Sequence, residues 1–249
     1  MRGYKRYIAF DGVDVGCAEV LCELLLKVFS GESKPVVVAI GGPGGTGKST
    51  FSEKLAGLLG EAAVFRLDDY KTPRQTRKGQ NIFGAHPEAN MMSLAVEHIS
   101  RMKDNTAFDK PVYDSVTGEA DTTERYQPMR FNILDGEIST YKEFREHVDF
   151  SVFIDAHYKT QLATRTSRDI EQRGYTWEKA ILTFLHSNLR EFKKYGAESK
   201  KWADLHIYCN EDYSLEIEAV ASDHHHHFDQ KKWVVLDANL KDQKLKCKI

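Results

Sequence analysis

The 249 residues are 41% hydrophobic and 29% charged, with a formal net charge of −2. That balance suits one soluble α/β domain with a substantial core, and it argues against a general nucleic-acid or membrane-surface binder, either of which would usually carry a basic excess. No N-terminal apolar segment resembles a signal peptide or a membrane span, and Cys17, Cys22, Cys209 and Cys247 show no C-x-x-C spacing; the expectation is a cytoplasmic protein with reduced thiols.

Taken in order, Tyr7-Ile8-Ala9-Phe10 reads as a short strand. Cys17 to Phe29 then reads as an amphipathic helix with Val20, Leu21, Leu24, Leu25 and Val28 on one face. Asp11 and Asp14, just ahead of that helix, suit turns and caps better than ligands. The apolar run Pro35 to Ile40 follows, and it leads through Gly42-Pro43-Gly44-Gly45-Thr46-Gly47-Lys48-Ser49-Thr50 into a helical pattern from Phe51 to Leu59. Strand, glycine loop and helix in that order fit G-x-x-x-x-G-K-[ST], a loop whose backbone N–H groups curl around phosphate oxygens at a helix N-terminus. Gly42, Gly44, Gly45, Thr46, Gly47, Lys48, Ser49 and Thr50 are therefore the candidate ATP-binding residues. Lys48 would reach the β- and γ-phosphates, and the Ser49 hydroxyl would ligate Mg²⁺.

Ala62 to Leu67 is a second buried-strand candidate that ends on Asp68-Asp69-Tyr70. Ligands of open α/β sheets sit beyond the carboxyl ends of strands, so a carboxylate here is placed for chemistry, with a helix cap or turn as the bland alternative. Residues 71 to 80 hold Lys71, Arg74, Arg77 and Lys78 amid Pro and Gly, which reads as a mobile basic loop or as solvated surface. A helix is expected over Met91 to Met102, then an extended segment with a turn over Lys110 to Gly118, and polar sequence around Asp121 to Tyr126. Phe131 to Gly136 is a strand ending on Asp135, which suits an acid beside the Mg²⁺ sphere, and Phe150 to Asp155 is a further parallel strand. Arg165, Arg168 and Arg173 lie on the helical stretch that follows, either a salt-bridged surface or a lid over a triphosphate. Trp177 to Phe192 reads as a helix with Ile181, Leu182, Phe184, Leu185 and Leu189 on its core side. Leu205 to Cys209 and Trp233 to Asp237 read as closing strands, with a solvated His224 to His227 run between them.

Six separated segments then coincide: Gly42-x-x-x-x-Gly47-Lys48-Ser49, Leu67-Asp68-Asp69-Tyr70, Lys110-Pro111-Val112-Tyr113-Asp114, Ile133-Leu134-Asp135-Gly136, Arg168 to Gly174, and Lys200 to Asp204. Their order and spacing resemble the phosphoribulokinase/uridine kinase family of P-loop kinases, over roughly Val36 to Ile207. The resemblance implies an α/β fold, a P-loop-type parallel sheet flanked by helices with an Arg-bearing lid. Residues 1–34 would form an N-terminal strand–helix extension and residues 35–249 the kinase domain. It also implies ATP-dependent transfer of the γ-phosphoryl group to a sugar hydroxyl, with Asp68 as base, Lys48, Arg168 and Arg173 as further catalytic residues, Arg165 on the nucleotide, and Ser49 with Asp135 on Mg²⁺. Asp69, Lys71, Arg74, Arg77 and Tyr113 would contact the acceptor.

Arg77-Lys78-Gly79, Pro87-Glu88-Ala89-Asn90 and the Val112-Tyr113 segment resemble the phosphoribulokinase branch, whereas Lys71 replaces the Tyr typical of the uridine branch and Ser115 stands where the other branch has His. The expected partner is a small-molecule phosphoryl acceptor, with no nucleic acid and no membrane; homo-oligomer formation stays open. Uridine or cytidine kinase is the alternative within the family. A P-loop nucleotide-binding regulatory protein is the alternative of another class, and a GTPase lacks its N-K-x-D motif here.

Overall fold

A computed structural model describes residues 6–7 and 16–219. The elements are β1 (Arg6–Tyr7), α1 (Cys17–Val28), β2 (Val36–Gly41), α2 (Lys48–Leu59), β3 (Ala62–Arg66), α3 (Arg74–Gly79), α4 (Met92–Lys103), β4 (Phe108–Val112), β5 (Thr122–Tyr126), β6 (Phe131–Asp135), β7 (Phe150–Ala156), α5 (Tyr158–Glu171), α6 (Trp177–Phe184), β8 (Leu205–Cys209) and β9 (Leu215–Ala219). The strand Trp233 to Asp237 and the His224 to His227 run expected from sequence lie outside the described residues.

Seven strands form one sheet in the order β1-β9-β8-β7-β2-β6-β3. The five strands from β8 to β3 run parallel, and β9 and β1 add antiparallel pairings at one edge. The central strand β2 is buried along its whole length, as a parallel strand covered on both faces must be. Val36, Val38 and Ile40 pack toward α1 and α2, meeting Leu21, Leu25, Phe51 and Leu55. Val37 and Ala39 point the other way, into a cluster with Phe65, Tyr70, Ile99 and Phe108. Period-two alternation along one apolar run therefore feeds two cores.

Helix α1 matches its expected face, since Val20, Leu21, Leu24, Leu25 and Val28 are all buried, and it shares its core with β2, β6 and β7. Arg6–Tyr7 form a short strand; of the strand expected from Tyr7 to Phe10, the last three residues lie outside the described residues. Strands β5 and β9 were not expected: Thr122 to Tyr126 and Leu215 to Ala219 are too polar to announce a buried strand. The β4–β5 pair stands apart from the main sheet and is tied to it by an aromatic cluster of Phe65, Phe108 and Tyr126, with the Tyr126 hydroxyl donating to Asn132 at 2.9 Å.

Two expectations need correction. The basic stretch after Asp68 is no loose loop: Lys71 bridges Asn90, the Thr72 N–H donates to the Ala89 carbonyl at 3.0 Å, and Arg74–Gly79 winds into a short helix. The helix from Trp177 follows its apolar pattern only in part: Phe184 is buried and Ile181 half-buried as expected, but the three leucines are not. It passes at Leu185 into a π-helix (Leu185–Gly196) whose buried side chains include Ser187, Asn188, Glu191 and Phe192, while Leu182, Leu185 and Leu189 are exposed. Widening the winding by one residue per hydrogen-bonded turn shifts every side chain out of the 3.6-residue register on which the sequence reading relied.

Candidate nucleotide and phosphoryl-acceptor site

The site lies beyond the carboxyl ends of β2, β3, β6 and β7, where the P-loop joins β2 to α2. Gly45 has φ of 83°, and a Cβ there would stand 2.5 Å from the Gln161 carbonyl, so only glycine lets this turn pass under α5. Lys48 is buried and its Nζ donates to the Pro43 carbonyl at 2.6 Å, as does the Thr46 hydroxyl at 3.1 Å. Burial lowers the Lys48 pKa, and the charges of Glu137, Asp135 and Asp68 work against that shift. Ser49 and Thr50 open to solvent at the first turn of α2.

Asp135 ends β6 directly beside this turn. Burial raises its pKa, against hydrogen bonds from the Ser49 hydroxyl and from Ser52, the latter at 3.4 Å. A hydroxyl paired with a carboxylate at a helix N-terminus, next to a buried lysine and a glycine turn, is a donor set that fits a nucleoside triphosphate with Mg²⁺.

Asp68 leaves the end of β3 in a 3-10 turn, Leu67–Tyr70, and its carboxylate is 61% exposed to the open cleft. Lys71 Nζ sits 2.5 Å from Asp68 Oδ1. Burial among protein atoms pushes the Asp68 pKa up, but Lys71, then Arg173 and Arg168, more than reverse this and hold the carboxyl well below the usual range. Asp68 is thus ionised at neutral pH and meets the first requirement of a general base.

Asp69 turns the other way. Lys110 Nζ lies 2.5 Å from its Oδ2 and the Tyr113 N–H donates to Oδ1 at 3.2 Å, so both oxygens fasten the β4 segment to the end of β3. Lys110 is buried and also pairs with Glu124 at 2.7 Å. Arg74 and Arg77 are likewise engaged. Arg74 donates to the Ser115 carbonyl and, at 3.0 Å, to the Val116 carbonyl; Arg77 donates to Thr72 O at 2.9 Å and to the Tyr113 hydroxyl. Of the basic residues expected to face an acceptor, Lys71 is the one held against Asp68, while Asp69, Arg74, Arg77 and Tyr113 brace the cleft wall.

The three arginines of α5 and the following turn converge on Asp169, which is fully buried. Arg173 Nη1 lies 2.9 Å from Asp169 Oδ1, Arg168 Nη2 3.3 Å from the same oxygen, and Arg165 Nε 3.8 Å from Oδ2. Burial lowers the Arg168 pKa, and its two arginine neighbours add to this. Arg165 also donates to Glu137 at 2.9 Å. Burial raises the Glu137 pKa, but Arg165, Lys71 and Lys48 outweigh it and leave the group below its ordinary value.

Sequence reasoning missed Glu137, Asp169 and Asn188 as site-forming residues. Asp169 carried a signal, since it stands four residues from both Arg165 and Arg173 on one helical face. Glu137 follows Asp135 by two residues and was legible only once β6 was known to end there. Asn188 gave no signal at all.

With this geometry in hand, the model of the phosphoribulokinase/uridine kinase family matches residues 37–215. The chain belongs to that family. A phosphoribulokinase from Synechocystis sp. is 34% identical over 176 residues, covering 69% of this chain and 53% of the relative. A uridine kinase from Latilactobacillus sakei is 26% identical over 182 residues, covering 71% of this chain and 86% of the relative. The chain thus spans about half the length of the phosphoribulokinases it matches and most of the uridine kinases. Among solved structures, one described as a possible uridine kinase from Bacillus stearothermophilus superposes with a TM-score of 0.53 at 20% identity, covering 76% of this chain and 96% of that one. The YGR205w protein superposes at 0.59 with 14% identity, covering 83% and 99%. These establish the shared fold. No helix among the described residues is long and apolar enough to cross a membrane.

Proposed function

We propose that this protein is an ATP-dependent kinase that phosphorylates a hydroxyl of a small anionic, pentose-type metabolite, as a phosphoribulokinase does. The observation that carries the proposal is the Asp68–Lys71 pair at the mouth of the P-loop cleft. A carboxylate ionised at neutral pH can accept the proton of an attacking hydroxyl, and a lysine beside it can receive an anionic group of the same substrate. Substrate-free, the two neutralise each other and Asp68 is a weak base. An acceptor phosphate that draws Lys71 away would raise the Asp68 pKa toward that of an ordinary carboxylate, so the base strengthens only when the right acceptor is bound.

In this reading the loop amides from Gly42 to Thr50 and the Lys48 ammonium bind the triphosphate. Ser49 and Asp135 hold Mg²⁺, which when bound neutralises charge on the transferring group. Asp68 takes the acceptor proton. Arg168 and Arg173 stabilise negative charge as it develops, and Asp169 keeps their guanidinium groups together. Arg74 and Arg77 hold the wall that carries Tyr113, and each retains N–H groups able to meet a phosphate. The mechanism is positioning and electrostatics, with no covalent enzyme intermediate.

A uridine or cytidine kinase is the second reading, favoured by one fact: the chain covers 86% of a uridine kinase relative but only 53% of a phosphoribulokinase. A coupled ADP-release screen over phosphorylated pentoses, uridine and cytidine separates the two. Turnover of a phosphorylated pentose supports the proposal, turnover of the nucleosides alone replaces it, and ATP binding without turnover of any acceptor leaves a regulatory nucleotide binder.

A further inference from the structure

The helix from Leu185 to Gly196 buries three polar side chains, Ser187, Asn188 and Glu191, beside Phe192, while Leu182, Leu185 and Leu189 of the α6 continuation point outward. Polar side chains buried at such positions cost stability unless they are hydrogen-bonded, and π-helical turns occur preferentially at functional sites. Asn188, only 4% exposed, is bonded through both ends of its amide. Its Nδ2 donates to the Gly44 carbonyl of the P-loop at 2.7 Å and to Gln161 Oε1 at 2.9 Å; its Oδ1 accepts from Arg165 Nη1 at 2.5 Å. Those partners fix the amide orientation. Rotated by 180°, the NH₂ group would face a guanidinium and the oxygen would face two acceptors. Gln161 is itself anchored, its Nε2 donating to the Ala156 carbonyl at the end of β7 at 2.8 Å. An unbroken hydrogen-bonded chain therefore runs from the sheet through Gln161 and Asn188 to the phosphate loop.

The consequence follows from peptide geometry. No cis peptide bond occurs among the described residues, so the Gly45 N–H points opposite to the Gly44 carbonyl. Fixing that carbonyl on Asn188 fixes the direction of the amide that follows it in the loop. The same asparagine holds Arg165 over the loop, so closely that a Cβ on Gly44 would stand 2.2 Å from Arg165 Nη1 and 2.5 Å from Glu137 Oε1.

We propose that Asn188 is a positioning residue of the nucleotide site, aiming the Gly45 amide through the Gly44 carbonyl and presenting the Arg165 guanidinium at the mouth of the phosphate loop. It deepens the kinase reading and rests on it. The test measures ATP·Mg²⁺ binding to the full-length protein by calorimetry, below the melting temperature of each variant, for wild type, Asn188→Leu, Asn188→Asp and Ser187→Ala. Leucine removes both arms of the amide at similar volume and without adding charge, whereas aspartate keeps the acceptor facing Arg165, removes the donor arm and adds a negative charge. Either change should weaken ATP binding by about tenfold to a hundredfold, the range set by one buried hydrogen bond left unmade.

Ser187 lies beside Asn188 on the buried face with no hydrogen-bond partner for its hydroxyl among the described residues, so Ser187→Ala should leave ATP binding unchanged. In the ADP-release assay the Asn188 variants should raise the KM for ATP while the KM for the acceptor stays within about twofold. Wild-type ATP affinity in a folded Asn188→Asp or Asn188→Leu variant, whatever its melting temperature, would overturn the inference and leave the kinase reading intact. Absence of ATP binding by the wild type would overturn both.

Discussion

Helix α1 and the helix that runs from Trp177 to Gly196 both bury one face, but the faces differ in chemistry. Every buried residue of α1 is apolar or a cysteine, and it meets other apolar side chains from β2 and α2. The second helix buries Ser187, Asn188 and Glu191 alongside Ala180, Phe184 and Phe192, and leaves three leucines exposed. The first contributes burial of apolar area. The second contributes hydrogen bonds to the P-loop, to Arg165 and to the Phe83 N–H, the last at 2.7 Å from Glu191. Buried polar side chains stabilise the fold less than apolar ones of the same size, but where they are hydrogen-bonded they fix the direction of the groups they touch.

The largest effect should come from the site that the polar helix serves. Lys48→Ala should lower phosphoryl transfer by about three orders of magnitude or more in the ADP-release assay, since under the proposed mechanism it removes the buried cation that binds the triphosphate. Arg168→Ala and Arg173→Ala should each lower kcat by about tenfold to a thousandfold, with a smaller change in ATP affinity, if their charge matters mainly in the transition state. Unchanged kcat in both would reduce the arginine cluster around Asp169 to a structural network.

The contrast between the helices can be broken directly by stability measurements. Leu21 is fully buried in the α1 core, so Leu21→Ala should cost about 2–5 kcal/mol. Leu185 is 44% exposed on the other helix, so Leu185→Ala should stay within about 0.5 kcal/mol of wild type. Equal losses would restore the orientation read from the sequence and remove the distinction.

That orientation shows where sequence reading stops. Helix α1, the P-loop, the parallel strands and Asp68 at a strand end were legible, because each follows from local periodicity or from a loop chemistry that needs particular residues at fixed spacing. The Leu185 and Leu189 positions misled for a physical reason: the period assumed was 3.6, whereas the helix widens after Phe184, and Asn188 and Glu191 are held inward by hydrogen bonds. Likewise the cations at 71 to 78 looked alike in sequence. Only long-range partners, the carbonyls of Ser115 and Val116 for Arg74 and the Tyr113 hydroxyl for Arg77, separate them from Lys71.

The smallest expected effect concerns pH. Glu137 has a pKa below its ordinary value of 4.5, so its contribution to stability is present above that value and is lost as pH falls through the lowered folded pKa. Glu137→Gln should therefore melt below wild type at neutral pH, and the gap should close as acid titration passes below pH 4.5, followed by thermal unfolding at stepped pH. A gap independent of pH would mean that the Arg165–Glu137 pair does not act through charge.

The central claim, that Asp68 and Lys71 together select an anionic acceptor, is tested most directly by kcat/KM for a phosphorylated pentose and for uridine in wild type and in Lys71→Met. The account predicts that wild type prefers the phosphorylated pentose. It also predicts that Lys71→Met lowers kcat/KM for that substrate by about tenfold to a hundredfold, the worth of one charge-assisted hydrogen bond, while the low uridine turnover rises because Asp68 loses the cation that holds its pKa down. Efficient uridine turnover that is indifferent to the Lys71 substitution would contradict it.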